Sequence, residues 1–293
     1  MERSASKRSW TDSRLTPFLV PAAILVAWQL LGHYGAVSSR TLPTPLKVAE
    51  AGIQLARTGE LLRYIWSSTQ RALLGFLIGG GIGFALGLLN GLSHSANRLL
   101  DSTIQMVRNV PHLALIPLVI LWFGIGETAK VFLVVLGVFF PIYLNTLHGI
   151  RSIDPGLLEM ARVYKIRGAA LYRHVILPGA LASILVGVRY ALGLMWLTLI
   201  VSETISANSG IGYMAMNARE FMRLDIVVLA ILLYAALGKL SDLAAKALEE
   251  RLLQWNPNYA VDRKGGGRRG RRAEAGGLRS EAADPAGGKA VRG

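Results

Sequence analysis

Long stretches without aspartate, glutamate, lysine or arginine are the feature that most constrains this chain. Five stretches have none of the four and a sixth contains only Arg189; in chain order they are residues 15–39, 72–97, 109–126, 131–150, 174–202 (with Arg189) and 226–238. A helix needs about 20 mostly apolar residues to cross a bilayer core. The pattern therefore predicts an all-α polytopic membrane protein of about six transmembrane helices, the last of which must extend past Lys239.

Composition supports lipid as the solvent for much of the chain. Charged residues make up 17%, against about 25% in ordinary soluble domains. The net charge of +14 would suggest nucleic acid in a soluble protein, but no zinc-finger spacing or ribonucleoprotein motif accompanies it. Basic residues instead flank apolar spans, where they orient helices and meet anionic lipid. With no cysteine, thiolate chemistry is excluded.

Loop charges predict the orientation. With the N-terminus inside, the inside segments hold 23 lysines and arginines and the outside segments hold 8, so both termini are predicted to be cytoplasmic. The first span is interpreted as a retained anchor rather than a signal peptide, because no A-x-A site follows its core. This divides the chain into a cytoplasmic N-terminus (1–14), a transmembrane domain (15–262) and a disordered basic tail (263–293). Residues 46–66 are amphipathic and are expected to lie along the outer interface.

Five glycines in the second stretch recur at a strict spacing of four residues: Gly75, Gly79, Gly83, Gly87 and Gly91. On a helix they form one slowly drifting stripe without side chains, and a neighbouring backbone can approach such a stripe closely. The ladder predicts tight helix packing within this chain rather than any particular function.

Arg189 is the one formal charge deep inside a predicted span, and the next charge is Glu203. Along a helix the two lie roughly 21 Å apart, within a hydrocarbon core about 30 Å thick. At least one of them is therefore expected at membrane depth, facing a bundle interior or cavity. Both are candidates for a solute pathway, where a fixed cation suits an anion. The alternative for Arg189 is that it snorkels to the cytoplasmic face.

The segment 151–178 has the sequence of two short helices joined by a turn. Asp154 is a suitable N-cap, and Pro155 fits the first helical position. Leu157, Leu158 and Ala161 can supply an apolar face, and Glu159 and Arg162 place charges on other faces. Lys165 and Gly168 follow as a turn, and Leu177 and Pro178 precede the fifth span. Such a helical hairpin on the cytoplasmic surface needs a partner there. The alternative, an ordinary surface loop, would be unusually long.

Within this segment the chain resembles the EAA loop of bacterial ABC importer permeases. The family pattern is E-A-A, three residues, G, nine residues, I, one residue, L-P, and four residues match it: Glu159, Ala161, Leu177 and Pro178. Three residues depart from it, namely Met160, Lys165 and Val175, and Gly168 lies three residues past the expected glycine. The resemblance implies that residues 154–172 couple the permease to an ATPase.

The resemblance covers residues 15–260. Residues 67–76 resemble the start of the permease core. Residues 110–117, 121–126, 187–193 and 202–204 are similar to the nitrate, taurine and alkanesulfonate branch, and the EAA region looks closest to the aliphatic sulfonate permeases. The resemblance implies a multi-pass permease of the bacterial cytoplasmic (inner) membrane that carries a small organic anion, an alkanesulfonate first and taurine or nitrate next. It also implies a permease homodimer, two cytoplasmic ATPase subunits and an extracytoplasmic solute-binding protein. The chain itself is expected to be no enzyme and to need no cofactor, since no phosphate loop occurs in it.

Two rival functions are open to a membrane protein of this kind. A secondary transporter needs coupling-ion carboxylates in its spans or broken helices at the midplane, and Glu203 is the sole acidic candidate. An intramembrane serine protease needs a G-x-S-x-G motif with a histidine on a neighbouring span, and no such motif occurs. The five histidines are scattered without metal-ligand spacing, so no metal site is expected.

Overall fold

The computed structural model describes residues 16–34 and 42–255, and all regular structure in these residues is helical. The predicted N-terminal segment 1–14 and basic tail 263–293 lie outside the described residues. The elements, in chain order, are α1 (Thr16–His33), α2 (Pro45–Arg57), α3 (Glu60–Leu92), α4 (His94–Arg108), a 3₁₀ turn (His112–Leu115), α5 (Ile116–Phe123), α6 (Glu127–Arg151), α7 (Pro155–Val163), α8 (Gly168–Leu171), a π turn (Tyr172–Ile176), α9 (Leu177–Ser206), α10 (Ile211–Glu220) and α11 (Leu224–Leu252). The compact unit discussed below ends at Ala245.

Four helices in the described part of the chain are long and apolar enough to cross a membrane: α3, α6, the continuous helix from α8 through α9, and α11. A fifth crossing results if α4 and the helix at His112–Phe123, which are bent by 79° at their junction, act as one span. The helix α1 is apolar but shorter. The all-α fold and its membrane-spanning character are thus confirmed, whereas the total of six spans and the orientation stay predictions.

The glycine ladder of α3 lies directly against α6. A Cβ atom added to Gly75 would fall 2.5 Å from Val134, and one added to Gly83 would fall 2.6 Å from the carbonyl oxygen of Phe139. Gly79, Gly87 and Gly91 face α6 in the same way. Because side chains are absent along this stripe, the two backbones approach more closely than ordinary residues allow.

The contacts of the ladder also fix the relative direction of the helices. Successive glycines of α3 meet successively later residues of α6, so these two helices run parallel. The connection between them must therefore return to the end where α3 begins, and α4 with α5 supplies that return. By contrast α9 is antiparallel to α6, since Gly149 lies against Ala180 and Gly137 against Thr198.

Substitution of Gly79 by alanine is expected to destabilise the protein, because the new Cβ would lie 2.5 Å from the carbonyl oxygen of Val135. Overpacking of this kind costs about 1–3 kcal/mol. Gly81 is the matched control, because it occupies the same helix and a Cβ there would meet no atom within 4 Å. Gly81→Ala should be neutral or stabilise by about 0.5–1 kcal/mol. Thermal unfolding of the purified variants measures both, and equal midpoints would contradict the packing described here.

The structure revises three predicted boundaries. Residues 46–66, predicted to be one amphipathic segment, are divided between α2, which ends at Arg57, and α3, which begins at Glu60. The sequence also predicts a short loop at 93–103, but the structure places His94–Arg108 in the helix α4, with Ser93 as its N-cap. Pro178 stands in the first turn of α9 as predicted, but no break precedes it, because α8, the π turn and α9 form one continuous apolar helix. The π turn immediately before this proline closes when the amide of Leu177 donates to the carbonyl of Tyr172, which fits the role of π bulges in absorbing local irregularity.

Candidate functional site

The helix α7 has well-defined ends. The Asp154 carboxylate accepts a hydrogen bond from the Gly156 amide at 2.8 Å, and Pro155 occupies the first turn, as expected for an N-cap followed by proline. At the other end the amide of Ile166 donates to the carbonyl of Ala161 at 2.9 Å. This six-to-one bond is the mark of a Schellman cap. The helix is therefore short because both ends are capped.

The turn after α7 depends on a lysine in an unfavourable conformation. Lys165 has φ +56°, in the left-handed region where glycine is preferred, and Gly168 has φ +60°. The family pattern has its glycine at the position of Lys165. The same left-handed turn is therefore formed here by a residue with a side chain, and Gly168 makes a second turn into α8.

Substitution of Lys165 by glycine is expected to stabilise the protein by about 1 kcal/mol. A left-handed non-glycine residue costs roughly 1–2 kcal/mol, and the added backbone entropy of glycine offsets part of the gain. Lys165→Ala is the control, since it removes the charge and keeps the Cβ atom. A higher unfolding midpoint for Lys165→Gly alone supports the conformational explanation. Equal gains in both variants would assign the effect to the charge instead.

The two faces of α7 differ in exposure. Ala161 is fully buried, and Leu158 packs against a cluster of buried residues formed by Ile150, Ile153, Ile176, Ala180 and Ile184. The outer face carries an apolar patch of Leu157, Met160, Val163 and Tyr164, with Glu159 and Arg162 also exposed. The structure thus separates the two leucines that the sequence placed together on a docking surface, because Leu158 faces inward and Leu157 faces outward.

A network of charged side chains joins α3, α6 and α9. The carboxylate of Glu203 has no exposed surface, and Arg71 Nη1 donates to it at 2.7 Å. The same carboxylate accepts hydrogen bonds from the Ser68 hydroxyl, the Tyr234 hydroxyl and the Gly212 amide at 2.8–2.9 Å. Every oxygen lone pair that Glu203 offers is engaged inside the protein, so its geometry is that of a structural anion.

The guanidinium of Arg71 extends this network to the surface. Arg71 Nη1 donates to the carbonyl of Ser209 at 2.7 Å and Nη2 to the Ser209 hydroxyl at 2.5 Å. Its Nε and Nη2 also contact the two oxygens of Glu127, and Lys130 Nζ donates to Glu127 Oε1 at 2.8 Å. The arrangement places two cations and two carboxylates at one end of the helices.

Sequence reasoning missed Arg71 and Lys130, which it counted as loop residues. Arg71 is 4% exposed and Lys130 is 2% exposed, because their charges are neutralised by residues distant in sequence. One signal was available. Arg71, Glu127, Lys130 and Glu203 all flank predicted spans on the same predicted side of the membrane, where side chains from different spans meet.

Arg189 lies apart from this network, although it shares α9 with Glu203. Its Nε donates to Asp242 at 2.6 Å, and Lys239 contacts the other oxygen of the same carboxylate at 3.2 Å. The Arg189 side chain is 47% exposed, whereas that of Glu203 is fully enclosed. The two pathway candidates therefore do not meet. In the described part of the chain no group of three histidine, aspartate or glutamate side chains is placed to hold a metal ion.

A family model described as "Binding-protein-dependent transport system inner membrane component" matches residues 75–254. A protein of Escherichia coli K12 named as an aliphatic sulfonates transport permease, SsuC, is 62% identical over 246 residues, covering 84% of this chain and 94% of that protein. Its Bacillus subtilis 168 namesake is 45% identical over 241 residues, covering 82% and 87%. The E. coli taurine transport system permease TauC is 35% identical over 240 residues, covering 80% and 87%.

A solved structure has a similar fold. A chain of the inward-facing MetNI methionine ABC transporter superposes with a TM-score of 0.51 at 19% identity, covering 64% of this chain and 95% of that one. At this identity the likeness concerns the fold alone.

Proposed function

The chain belongs to the family of binding-protein-dependent transport system inner membrane components, and we propose that the solute it imports is a small organic sulfonate. As a family member it is an ABC transporter permease of the inner membrane. The comparisons support this function and not the secondary transporter that the sequence alone left open. The relatives are named as transport permeases, so the comparisons do not support an intramembrane protease either.

The identity of the solute is inferred from one observation, the 62% identity to the E. coli protein named for aliphatic sulfonates across 84% of this chain. The taurine relative, at 35%, is named for a solute that is also a sulfonate. Nitrate, the third candidate, shares only the single negative charge. A preference for sulfonates is thus what the nearer relatives support.

The test is uptake of labelled ethanesulfonate by cells that express this chain with its cognate ATPase and binding protein. We expect uptake that unlabelled ethanesulfonate abolishes and that taurine or nitrate reduces less. A variant ATPase unable to hydrolyse ATP is the control for other routes of entry. The proposal is contradicted if ethanesulfonate is not taken up and if none of the three compounds competes with the solute that the transporter does import.

The proposed assembly contains two copies of this chain, two cytoplasmic ATPase subunits and an extracytoplasmic binding protein. Its ATP-binding part must be separate, because the chain has no phosphate-binding loop. Movement of the ATPase in the cytoplasm must reach the helices through a stiff contact. The helix α7 supplies one, since both of its ends are capped and Leu158 and Ala161 fix its inner face to the permease.

The outer face of α7 is accordingly proposed as the ATPase contact. Leu157, Met160, Val163 and Tyr164 form its exposed apolar patch. In an aqueous cytoplasm such a patch indicates an interaction surface. Glu159 would meet a basic group on the ATPase, while the basic flank of Arg162, Lys165 and Arg167 faces acidic groups or lipid.

Arg189 is proposed to support the pathway through its charge-assisted bond to Asp242. We expect Arg189→Leu to abolish transport while the protein still inserts and keeps its unfolding midpoint. A partly exposed ion pair such as Arg189–Asp242 adds little to stability, so the expected loss is that of a fixed cation beside the solute pathway. Arg189→Lys retains the charge and should keep part of the activity. Ethanesulfonate uptake measures both variants at matched membrane levels. Normal uptake by Arg189→Leu would favour snorkelling of an inessential side chain.

A further inference from the structure

Two buried cations lie beneath one exposed carboxylate at the end of the helices where α3 and α6 begin. The side chains of Arg71 and Lys130 are 5% and 3% exposed, whereas that of Glu127 is 62% exposed. Glu127 Oε1 accepts from Arg71 Nη2 at 2.7 Å and from Lys130 Nζ at 2.8 Å, and Arg71 Nε contacts the second oxygen. A surface carboxylate thus covers two buried cations.

The contact between Arg71 and Glu127 has the geometry with which a guanidinium binds a free oxyanion. Two parallel N–H groups meet two oxygens of one acid group, an arrangement that suits carboxylates and other planar or tetrahedral oxyanions. The guanidinium is held from behind by Glu203 and by the carbonyl and hydroxyl of Ser209. None of these contacts involves Glu127, so they would still hold Arg71 in place if the Glu127 side chain turned away.

The charges show which anion can be exchanged. Arg71 and Lys130 are balanced by Glu203 and Glu127. Glu203 is fixed by the hydroxyls of Ser68 and Tyr234 and by the amide of Gly212, and none of its surface reaches solvent. Glu127 stands on the first turn of α6, and its carboxylate pairs with the two cations. An incoming monovalent anion would restore the same charge balance that Glu127 provides.

We propose that Glu127 occupies an anion site, and that the sulfonate group of the solute enters this site by displacing the Glu127 carboxylate. No bond is made or broken. One singly charged oxyanion replaces another on Arg71 and Lys130, and Glu127 moves into solvent. The identity of the anion rests on the proposed function. Loop charges predict this end of the helices to be extracytoplasmic, the side from which an imported solute arrives.

The test is chemical rescue of Glu127→Ala in the purified full-length chain. Thermal unfolding is followed at constant ionic strength while ethanesulfonate is added, with dimethyl sulfone as the neutral analogue and acetate as the group that the substitution removed. We expect the variant to unfold at a lower temperature than the wild type, and ethanesulfonate and acetate to raise its midpoint. Half-saturation by ethanesulfonate should be at least about tenfold lower than in the wild type, in which Glu127 competes for the site.

Three further variants sharpen the result. Glu127→Gln keeps the shape of the side chain and replaces Glu127→Ala if that variant cannot be purified. Lys130→Met added to Glu127→Ala should abolish the response to ethanesulfonate. Asp225→Ala is the matched control, because Asp225 also pairs with an arginine, Arg223, at the start of a helix, and both partners are partly exposed. It should respond to ethanesulfonate as the wild type does.

The proposal is overturned if Glu127→Ala and the wild type respond to ethanesulfonate at the same concentrations, or if acetate rescues the variant and ethanesulfonate does not. Neither ATPase nor binding protein takes part in this experiment. Rescue by ethanesulfonate together with uptake of some other solute would therefore support the anion site and contradict the proposed solute. Sulfonate uptake without rescue would support the solute and contradict the site.

Discussion

Glu203→Ala is expected to lose most of its folded yield from the membrane and to unfold at a much lower temperature than the wild type. The carboxylate is completely buried and accepts hydrogen bonds from Ser68, Arg71, Tyr234 and the Gly212 amide. Its removal leaves the buried guanidinium of Arg71 with Glu127 as its remaining carboxylate partner. Loss of one partner of a buried ion pair costs about 3–5 kcal/mol.

The measurement is the yield of detergent-stable protein together with its unfolding midpoint. Glu203→Gln should fall between the wild type and Glu203→Ala, because the amide keeps the size of the side chain and one acceptor oxygen. Asp225→Ala is again the control, since surface ion pairs contribute only about 0–1 kcal/mol. If Glu203→Ala and Asp225→Ala have the same midpoint, the network does not hold the helices together.

Leu157→Asp is expected to release the ATPase from the permease. Leu157 lies in the exposed apolar patch of α7 and is 43% exposed, so a charge there disrupts an interface without disturbing the interior of the permease. Truncation of a buried apolar anchor at an interface typically costs 2 kcal/mol or more, which is about a 30-fold loss of affinity. Co-purification of the ATPase with the tagged permease measures the effect, and Glu159→Lys should act in the same direction.

Two variants separate docking from folding. Leu62→Asp places the same charge on an exposed leucine near the start of α3, at the end of the helices away from α7, and should retain the ATPase. Leu158→Asp strikes the inner face of α7 and should lower the unfolding midpoint of the permease itself. If Leu157→Asp and Glu159→Lys both retain wild-type amounts of ATPase, the outer face of α7 is not the contact.

Features governed by neighbouring residues were predictable from the sequence. Long apolar stretches identified most of the spans, because crossing a bilayer requires a local run of such residues. Glycines four apart share one helix face, and the structure places that face against α6. The start of α7 at Asp154 and Pro155 follows from the chemistry of the first helical turn.

Features that depend on distant residues were not predictable in this way. Arg71 was taken to end a loop, but α3 begins eleven residues earlier because Glu127 and Glu203 neutralise that charge inside the protein. The division of Leu157 from Leu158 depends on where the cluster around Ile153 lies. Lys165 departs from the family glycine and yet adopts a left-handed turn, since the Schellman cap of α7 requires one there.

The most direct measurement of the central claim, that this chain is the membrane pathway of an ATP-driven sulfonate importer, is ethanesulfonate accumulation in proteoliposomes. The vesicles contain this chain and its ATPase, with ATP on the ATPase side and the binding protein on the opposite side. We predict accumulation of ethanesulfonate that requires the ATPase, ATP and the binding protein. A proton or sodium gradient should not substitute for ATP. Accumulation driven by an ion gradient in vesicles that contain this chain without the ATPase would contradict the account.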